Sequence, residues 1–133
     1  MKNIYNKEYM PRRSTVGSAC YDIFLNEDKD FREGFNLYDT GLVIEDGDIK
    51  DTQCIEVHPR SSTYLRYGLM QTNVGIIDSD YRNTIKLTLL ADRDIHIPAG
   101  TRIAQFKITD YYILPNEIKP TRVRDGGLGS TGE

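Results

Sequence analysis

The chain has 133 residues, of which 38% are hydrophobic and 28% charged, and its formal net charge is −3 at pH 7. This length suits one domain with one core, and the acidic balance gives no support for a duplex-binding surface. No run of residues is long and apolar enough for a transmembrane helix. The two cysteines are too few for a disulfide framework, which favours a reduced, cytoplasmic setting. We therefore expect no nucleic-acid partner and no membrane partner.

The first half of the chain has the composition of short strands joined by turns. Alternating or β-branched residues predict strands over 2–9, 18–25, 35–44 and 53–58, with 26–34 as a connection and a bulge at Gly41. Ser61 or Ser62 is then expected to cap the one short helix of the chain, which should end at Gly68.

The stretch over residues 73–82 is the centre of the second half. Apolar residues lead into it, and Ile85, Leu87 and Leu89 alternate after it, which predicts a hairpin of two strands around a turn. Further strands are expected over 95–97 and 101–114, and residues 115–121 should cross the surface. Many short strands with almost no helix indicate an all-β, jelly-roll-like sandwich over residues 1–120, followed by a Gly-rich tail over 121–133.

The predicted hairpin carries residues suited to a nucleotide pocket. Gly75 has no Cβ, so a flat ligand can approach its backbone closely, and exposed backbone groups of the turn can read the edge of a base. The carboxylate of Asp78 can take a proton from water. The alternative, from the residues alone, is that Asp78 and Asp80 form an ordinary turn and that Tyr81 belongs to the core.

Three further segments carry groups that bind phosphates or metals. Arg60-Ser61-Ser62 stands where a strand meets the helix, so its cation and backbone N–H groups can bind phosphate; an ordinary helix cap explains it equally well. Gln105 can donate its amide to a phosphate oxygen or simply face solvent. Asp22 can support a magnesium ion through water, although an ion pair at the strand end is preferred for this residue alone.

The Gly-rich tail carries Ser130 and Thr131, whose hydroxyls, with the backbone N–H groups around them, can wrap an anion. A tail of this composition is by itself more typical of a linker. A linker, however, has no need of Leu128 between glycines, nor of Arg122 and Arg124 just before them.

Five segments in this order resemble the five sequence motifs of the trimeric, all-β dUTPase family. They lie at residues 17–23, 59–62, 73–82, 100–106 and 124–132 and so span nearly the whole chain. The resemblance implies a jelly-roll homotrimer whose active sites lie at subunit interfaces, with the tail folded over the nucleotide. It also implies an enzyme that splits dUTP into dUMP and pyrophosphate with Mg²⁺.

The resemblance further implies a role for each matched residue. Asp78 orients and deprotonates the attacking water, and Tyr81 packs on the deoxyribose and leaves no room for a ribose hydroxyl. Asp22 supports the water shell of the metal. Uracil is read by Asn73 and by the turn backbone, including Gly75 and Ile77. A larger set of residues is implied to bind the phosphates or, in the tail, to cover the nucleotide. These residues are Arg60, Ser61, Ser62, Gln105, Arg124, Leu128, Ser130 and Thr131.

The sequence departs from the family pattern at two places in the tail. Leu128 stands where a Phe usually stacks on uracil, so the lid is expected to be looser. Val123 stands where the family's tail Arg is often found. Arg124 is therefore the first candidate for the phosphate clamp, and Arg122 is the second.

Other functions fit parts of the pattern. A dCTP deaminase of the same fold would need a carboxylate, typically a Glu, on the strand after the turn, and residues 84–90 contain none. A nucleotide-sensing regulatory protein would need a partner surface, and the chain has no obvious inserted domain to provide one. A jelly-roll protein without a ligand conflicts with five motifs in register.

Overall fold

The computed structural model describes residues 1–124 of the chain, and this part forms eleven strands and one helix. The polar or glycine-containing segments between them form turns and loops, as the composition predicts. The elements are β1 (Lys2–Asn3), β2 (Tyr21–Phe24), β3 (Lys29–Phe31), β4 (Gly34–Asp39), β5 (Leu42–Val43), β6 (Gln53–His58), α1 (Ser61–Tyr67), β7 (Leu69–Gln71), β8 (Gly75–Ile77), β9 (Lys86–Ala91), β10 (Ile95–Ile97) and β11 (Arg102–Asp110).

The strands pair into two main antiparallel sheets. One has the order β2-β11-β6-β8 and the other the order β4-β9-β7, and the pairs β1-β5 and β10-β3 complete the described sheets. Alternate residues along the strands point inward, so Ile55, Val57, Leu87 and Leu89 are at most 1% exposed and join one core cluster. The prediction of an all-β, jelly-roll-like fold with one short helix is confirmed.

Two predictions about the strands are wrong. Residues 26–34 contain β3, which pairs with β10 and places Ile95 opposite Phe31. Phe31 is 1% exposed, so this short strand is held by its one buried aromatic among charged neighbours. The predicted hairpin does not form, because β8 pairs with β6 whereas β9 pairs with β4 and β7. The turn after β8 therefore carries the chain from one main sheet to the other.

The helix is confirmed in extent but not in its cap. Arg60 holds the N-cap position in an extended conformation with no side-chain hydrogen bond, and Ser61 is already helical, so the predicted serine cap is wrong. The end at Gly68 is confirmed. Its φ of 66° is left-handed, and its N–H donates to the Tyr64 carbonyl at 2.7 Å. A Cβ at this position would overlap the carboxylate of Asp92.

The remaining differences concern where strands begin and end. The strands predicted over 2–9, 18–25 and 101–114 contain the shorter β1, β2 and β11. Gly41, with φ 72°, separates β4 from β5 instead of forming a bulge within one strand. The predictions for Leu128, Ser130 and Thr131 lie outside the described residues. Within 1–124, the helix is too short and too polar to cross a bilayer.

Candidate active site

The turn after β8 presents two carboxylates on a well-supported backbone. The N–H of Tyr81 donates to the Asp78 carbonyl at 3.1 Å, and the Tyr81 hydroxyl donates to the Thr84 carbonyl at 2.7 Å. The Tyr81 side chain is buried, and this burial raises the pKa of its phenol. Asp78 and Asp80 instead point outward, with side chains 55% and 59% exposed. An exposed carboxylate on a fixed turn can receive a proton from a bound water.

Arg124 reaches back and pairs with both carboxylates. Its Nε donates to Oδ1 of Asp80 at 2.8 Å, and its Nη2 donates to Oδ2 of Asp78. Its guanidinium carbon lies 5.7 Å from the centroid of the Tyr81 ring. The hydrogen bond to Asp80 is the main reason why the pKa of Arg124 is raised above its ordinary value. The tail arginine is thus held against the turn, and its predicted contact with phosphate stays a prediction.

The residues predicted to read uracil lie on an edge strand. β8 pairs with β6 along one side, and within the described residues its other side has no strand partner. Gly75 and Ile77 are half-buried there, and Asn73 is exposed just before the strand. Unpaired backbone groups along an edge can hydrogen-bond a ligand as they would another strand. The geometry is consistent with backbone recognition of a base.

One polar residue beside this edge was missed by the sequence interpretation. Gln71 on β7 is 3% exposed, and its Oε1 has no hydrogen-bond partner within residues 1–124. A Cβ at Gly75 would lie 3.5 Å from Nε2 of the same side chain. The sequence shows Gln71 only as a polar residue after the apolar start of β7. That its side chain is buried next to Gly75 is decided by the tertiary fold.

The predicted phosphate-binding residues gather at the other end of the same sheet. Strand register places Gln105 opposite both Asp22 and His58, and its Nε2 donates to the carbonyl of Pro59 at 3.0 Å. Arg60 follows directly and pairs with Asp22, with Nε 3.1 Å from Oδ1. The structure therefore brings together the segments that carry motifs one, two and four.

A polar cavity of about 390 Å³ opens beside this group, between α1 and the turn that precedes β11. Three arginines line it, and two of them, Arg66 and Arg102, were missed as site residues because nothing in the local pattern sets them apart from surface arginines. The exposed Ser62 lies on its wall, whereas Ser61 does not line it. The full lining is Arg60, Ser62, Thr63, Arg66, Tyr67, Ala99, Gly100, Thr101 and Arg102.

The two groups of predicted residues are far apart within one chain. Ile77 lies opposite Ile55 in the pairing of β8 with β6, so one further residue brings Asp78 beside Cys54. The Cys54 thiol is consistent with this position, because its pKa is raised by burial and then by the nearby charges of Glu56 and Asp78. Arg60 lies six residues further along the same extended chain, which corresponds to about 20 Å. One copy therefore does not bring Asp78 and the arginine-lined cavity together.

The described side chains do not form a magnesium site by themselves. No group of three or more His, Cys, Asp or Glu residues within 1–124 could hold a metal ion. The carboxylate of Asp22 is 6% exposed and lies beside Arg60 and Arg102, and these two cations would oppose a dication there. The predicted metal role of Asp22 stays a prediction, and no step below depends on it.

Comparison with known proteins places the chain in a family. The family model described as dUTPase matches residues 6–132. The deoxyuridine 5'-triphosphate nucleotidohydrolase of Hydrogenobaculum sp. is 33% identical over 141 residues, covering 99% of this chain and 96% of the relative. The protein of the same name from Yarrowia lipolytica is 33% identical over 132 residues, covering 92% and 81%. This chain belongs to the dUTPase family.

Solved structures of dUTPases share the fold of this chain. The dUTPase of Streptococcus mutans superposes with a TM-score of 0.74 at 24% identity, covering 84% of this chain and 92% of that one. A dUTPase mutant from Staphylococcus aureus phage phi11, which coordinates a structural Mg(II) ion, gives a TM-score of 0.68 at 17% identity over 85% and 90%. The dUTPase of phage 80alpha with dUpNHpp gives 0.68 at 21% identity over 93% and 92%.

Proposed function

We propose that this chain hydrolyses dUTP to dUMP and pyrophosphate, with Asp78 as the general base. The proposal is supported mainly by the positions of the motif residues, which form two groups with different chemistry. One is an exposed carboxylate beside an edge strand, and the other is an arginine-lined cavity next to Gln105. Relatives at 33% identity bear the name deoxyuridine 5'-triphosphate nucleotidohydrolase, and a phage protein of the same fold binds dUpNHpp.

The active site is completed by a second copy of the chain. Asp78 and Arg60 are separated by about 20 Å along β6, which is farther than either side chain reaches. Water attack requires the base, the water and the phosphate to be in contact. A homotrimer with closed cyclic symmetry would bring the Asp78 turn of one copy to the cavity of the next, three times over.

In the reaction, Asp78 accepts a proton from water while the water oxygen bonds to the α-phosphorus. The bond from that phosphorus to the bridging oxygen breaks, and pyrophosphate leaves with the electron pair. Arg60, Ser61, Ser62 and Gln105 bind the phosphates and stabilise the growing negative charge. Magnesium would arrive bound to the phosphates, since it usually keeps water and substrate oxygens as ligands.

The edge strand β8 and the residues beside it would select the substrate. Backbone groups around Gly75 and Ile77, with Asn73, are assigned to the edge of uracil, and a fixed donor there rejects the amine of cytosine. Tyr81 is held by its hydrogen bond to the Thr84 carbonyl, and the ring in this position would exclude a ribose hydroxyl. Arg124 would exchange its carboxylate partners for phosphate as the tail closes.

The tail and the cellular setting complete the proposal. Leu128 covers the base, and Ser130 and Thr131 bind the far phosphates. A cytoplasmic setting agrees with Cys20 and Cys54, which are both free thiols.

The decisive experiment measures pyrophosphate release with Mg²⁺ from dUTP, dTTP, dCTP and UTP side by side. Release from dUTP without release from dCTP or UTP is expected, because the edge strand rejects the amine of cytosine and Tyr81 selects deoxyribose. Thymine presents the same hydrogen-bonding edge as uracil, so the rate with dTTP measures whether the pocket also excludes a 5-methyl group. Release of ammonia from dCTP would replace the proposal with a deaminase. Binding of dUTP without release would replace it with a nucleotide-sensing protein.

A further inference from the structure

Asp22 lies at the meeting point of four separate segments of the chain. Its Oδ1 is 3.1 Å from Nε of Arg60, which precedes α1, and its Oδ2 is 3.6 Å from Nε of Arg102, which begins β11. Ser14, from the loop before β2, donates its hydroxyl to Oδ2 at 3.0 Å. With 6% of its surface exposed, Asp22 is a buried carboxylate surrounded by donors. Such a carboxylate fixes the positions of its cationic partners.

The contacts leave much of each arginine available for a ligand. Both guanidinium groups approach Asp22 most closely through Nε. Within residues 1–124, neither forms a hydrogen bond through its terminal nitrogens, and both side chains line the cavity beside α1. Two positive charges around one negative charge leave a net charge of about +1 at the wall of that cavity. This arrangement suits an anion with several oxygens and does not suit a free dication.

The arginines are also anchored through the backbone. The Thr63 hydroxyl donates to the Arg102 carbonyl at 2.6 Å, and Thr63 is 3% exposed. Gln105, which lies opposite Asp22 in the pairing of β11 with β2, donates to the Pro59 carbonyl just before Arg60. The backbones of Arg60 and Arg102 are therefore held by other contacts, and the Asp22 carboxylate orients only their side chains.

We infer that Asp22 is a positioning residue that holds Arg60 and Arg102 for the phosphates of the nucleotide, and that it is not a magnesium ligand. The inference rests on the proposed function for the identity of the anion. Without the negative charge, the two guanidinium groups repel each other and lose their common orientation. Binding of a triphosphate then weakens whether or not magnesium is present.

The test measures binding of the imido analogue dUpNHpp by the full chain, once in EDTA and once in saturating Mg²⁺. Asp22→Asn should weaken binding about 10- to 100-fold in both conditions, the range expected for loss of charge-assisted contacts. The Mg²⁺ concentration that gives half-maximal turnover should not change. Asp30→Asn is the matched control, because Asp30 also contacts a basic side chain, that of His96, but its own side chain is 84% exposed; it should bind normally.

Each outcome decides the inference. A loss confined to Mg²⁺, with a higher Mg²⁺ requirement, would assign Asp22 to the metal and overturn it. Normal binding by Asp22→Asn in EDTA would overturn it as well. If that variant does not fold, Arg102→Gln, at a side chain 49% exposed, should weaken binding in EDTA about 3- to 10-fold, and unchanged binding would refute the arginine pair. Failure of the unmodified chain to bind dUpNHpp would instead refute the proposed function.

Discussion

Replacing Asp78 by Asn tests the proposed base most directly, because the amide keeps the shape of the side chain but cannot accept the proton. A positioned general base contributes about 10²- to 10⁴-fold to rate, which corresponds to about 3–5 kcal/mol of transition-state stabilisation. The fold should hardly respond. The side chain is 55% exposed and paired with Arg124, and an exposed ion pair contributes at most about 1 kcal/mol.

Asp80→Asn is the matched control for this substitution. Asp80 lies two residues further on, is 59% exposed, and also pairs with Arg124. Both variants lose one carboxylate contact to the same arginine. The difference in turnover between them therefore measures the contribution of Asp78 as the base. Pyrophosphate release gives the rate, and calorimetric titration with dUpNHpp gives the affinity. Asp78→Asn should bind with nearly unchanged affinity and lose turnover, whereas Asp80→Asn should keep most of its turnover.

The assignment of the base fails under either of two results. Turnover by Asp78→Asn within a few-fold of the unmodified chain would remove this residue from the chemistry. An equal loss in both variants would show that the contact with Arg124, and not the proton transfer, limits the reaction.

Two further predictions concern the assembly and the fold. If each site draws Asp78 from one copy and Arg60 from the next, inactive Asp78→Asn and Arg60→Gln chains should regain activity when refolded together, up to about one quarter of the normal rate for random mixing; no recovery would place the site within one copy. Gly68→Ala should destabilise the fold by about 1–2 kcal/mol because of its left-handed backbone, whereas the half-exposed carboxylate of Asp92, which the new Cβ would meet, can move aside. In urea unfolding, Gly17→Ala, where a Cβ meets nothing within 4 Å, should stay close to the unmodified chain, and an equal loss in both would refute the strain argument.

The elements that the sequence predicted well are those whose signal is local. β6 follows from the alternation of its last four residues, Ile55 to His58, and the end of α1 follows from a glycine, which adopts the left-handed φ of 66° without strain. The chemical candidates were also visible locally, because carboxylates, arginines and an amide stood in recognisable motifs. Local signals sufficed to name Asp78 and Gln105, and the family resemblance supplied their roles.

Pairing across the chain was not visible in the same way. Periodicity shows that a segment is a strand but does not say which strand it joins, so β8 and β9 looked like a hairpin although they lie in different sheets. A three-residue strand such as β3 carries too short a pattern to detect, and it forms because Phe31 is buried against the core.

The sequence by itself determined the class of fold and most of the side chains that carry the proposed chemistry. Tertiary structure decided how they are grouped, because sheet register and buried charge depend on residues far apart in the chain. It placed Asp22 between Arg60 and Arg102, which stand 38 to 80 residues away from it along the chain. It also put Asp78 at the opposite end of β6 from the cavity, since antiparallel pairing runs β8 away from α1. That separation is the physical reason for the proposal that a second copy completes the site.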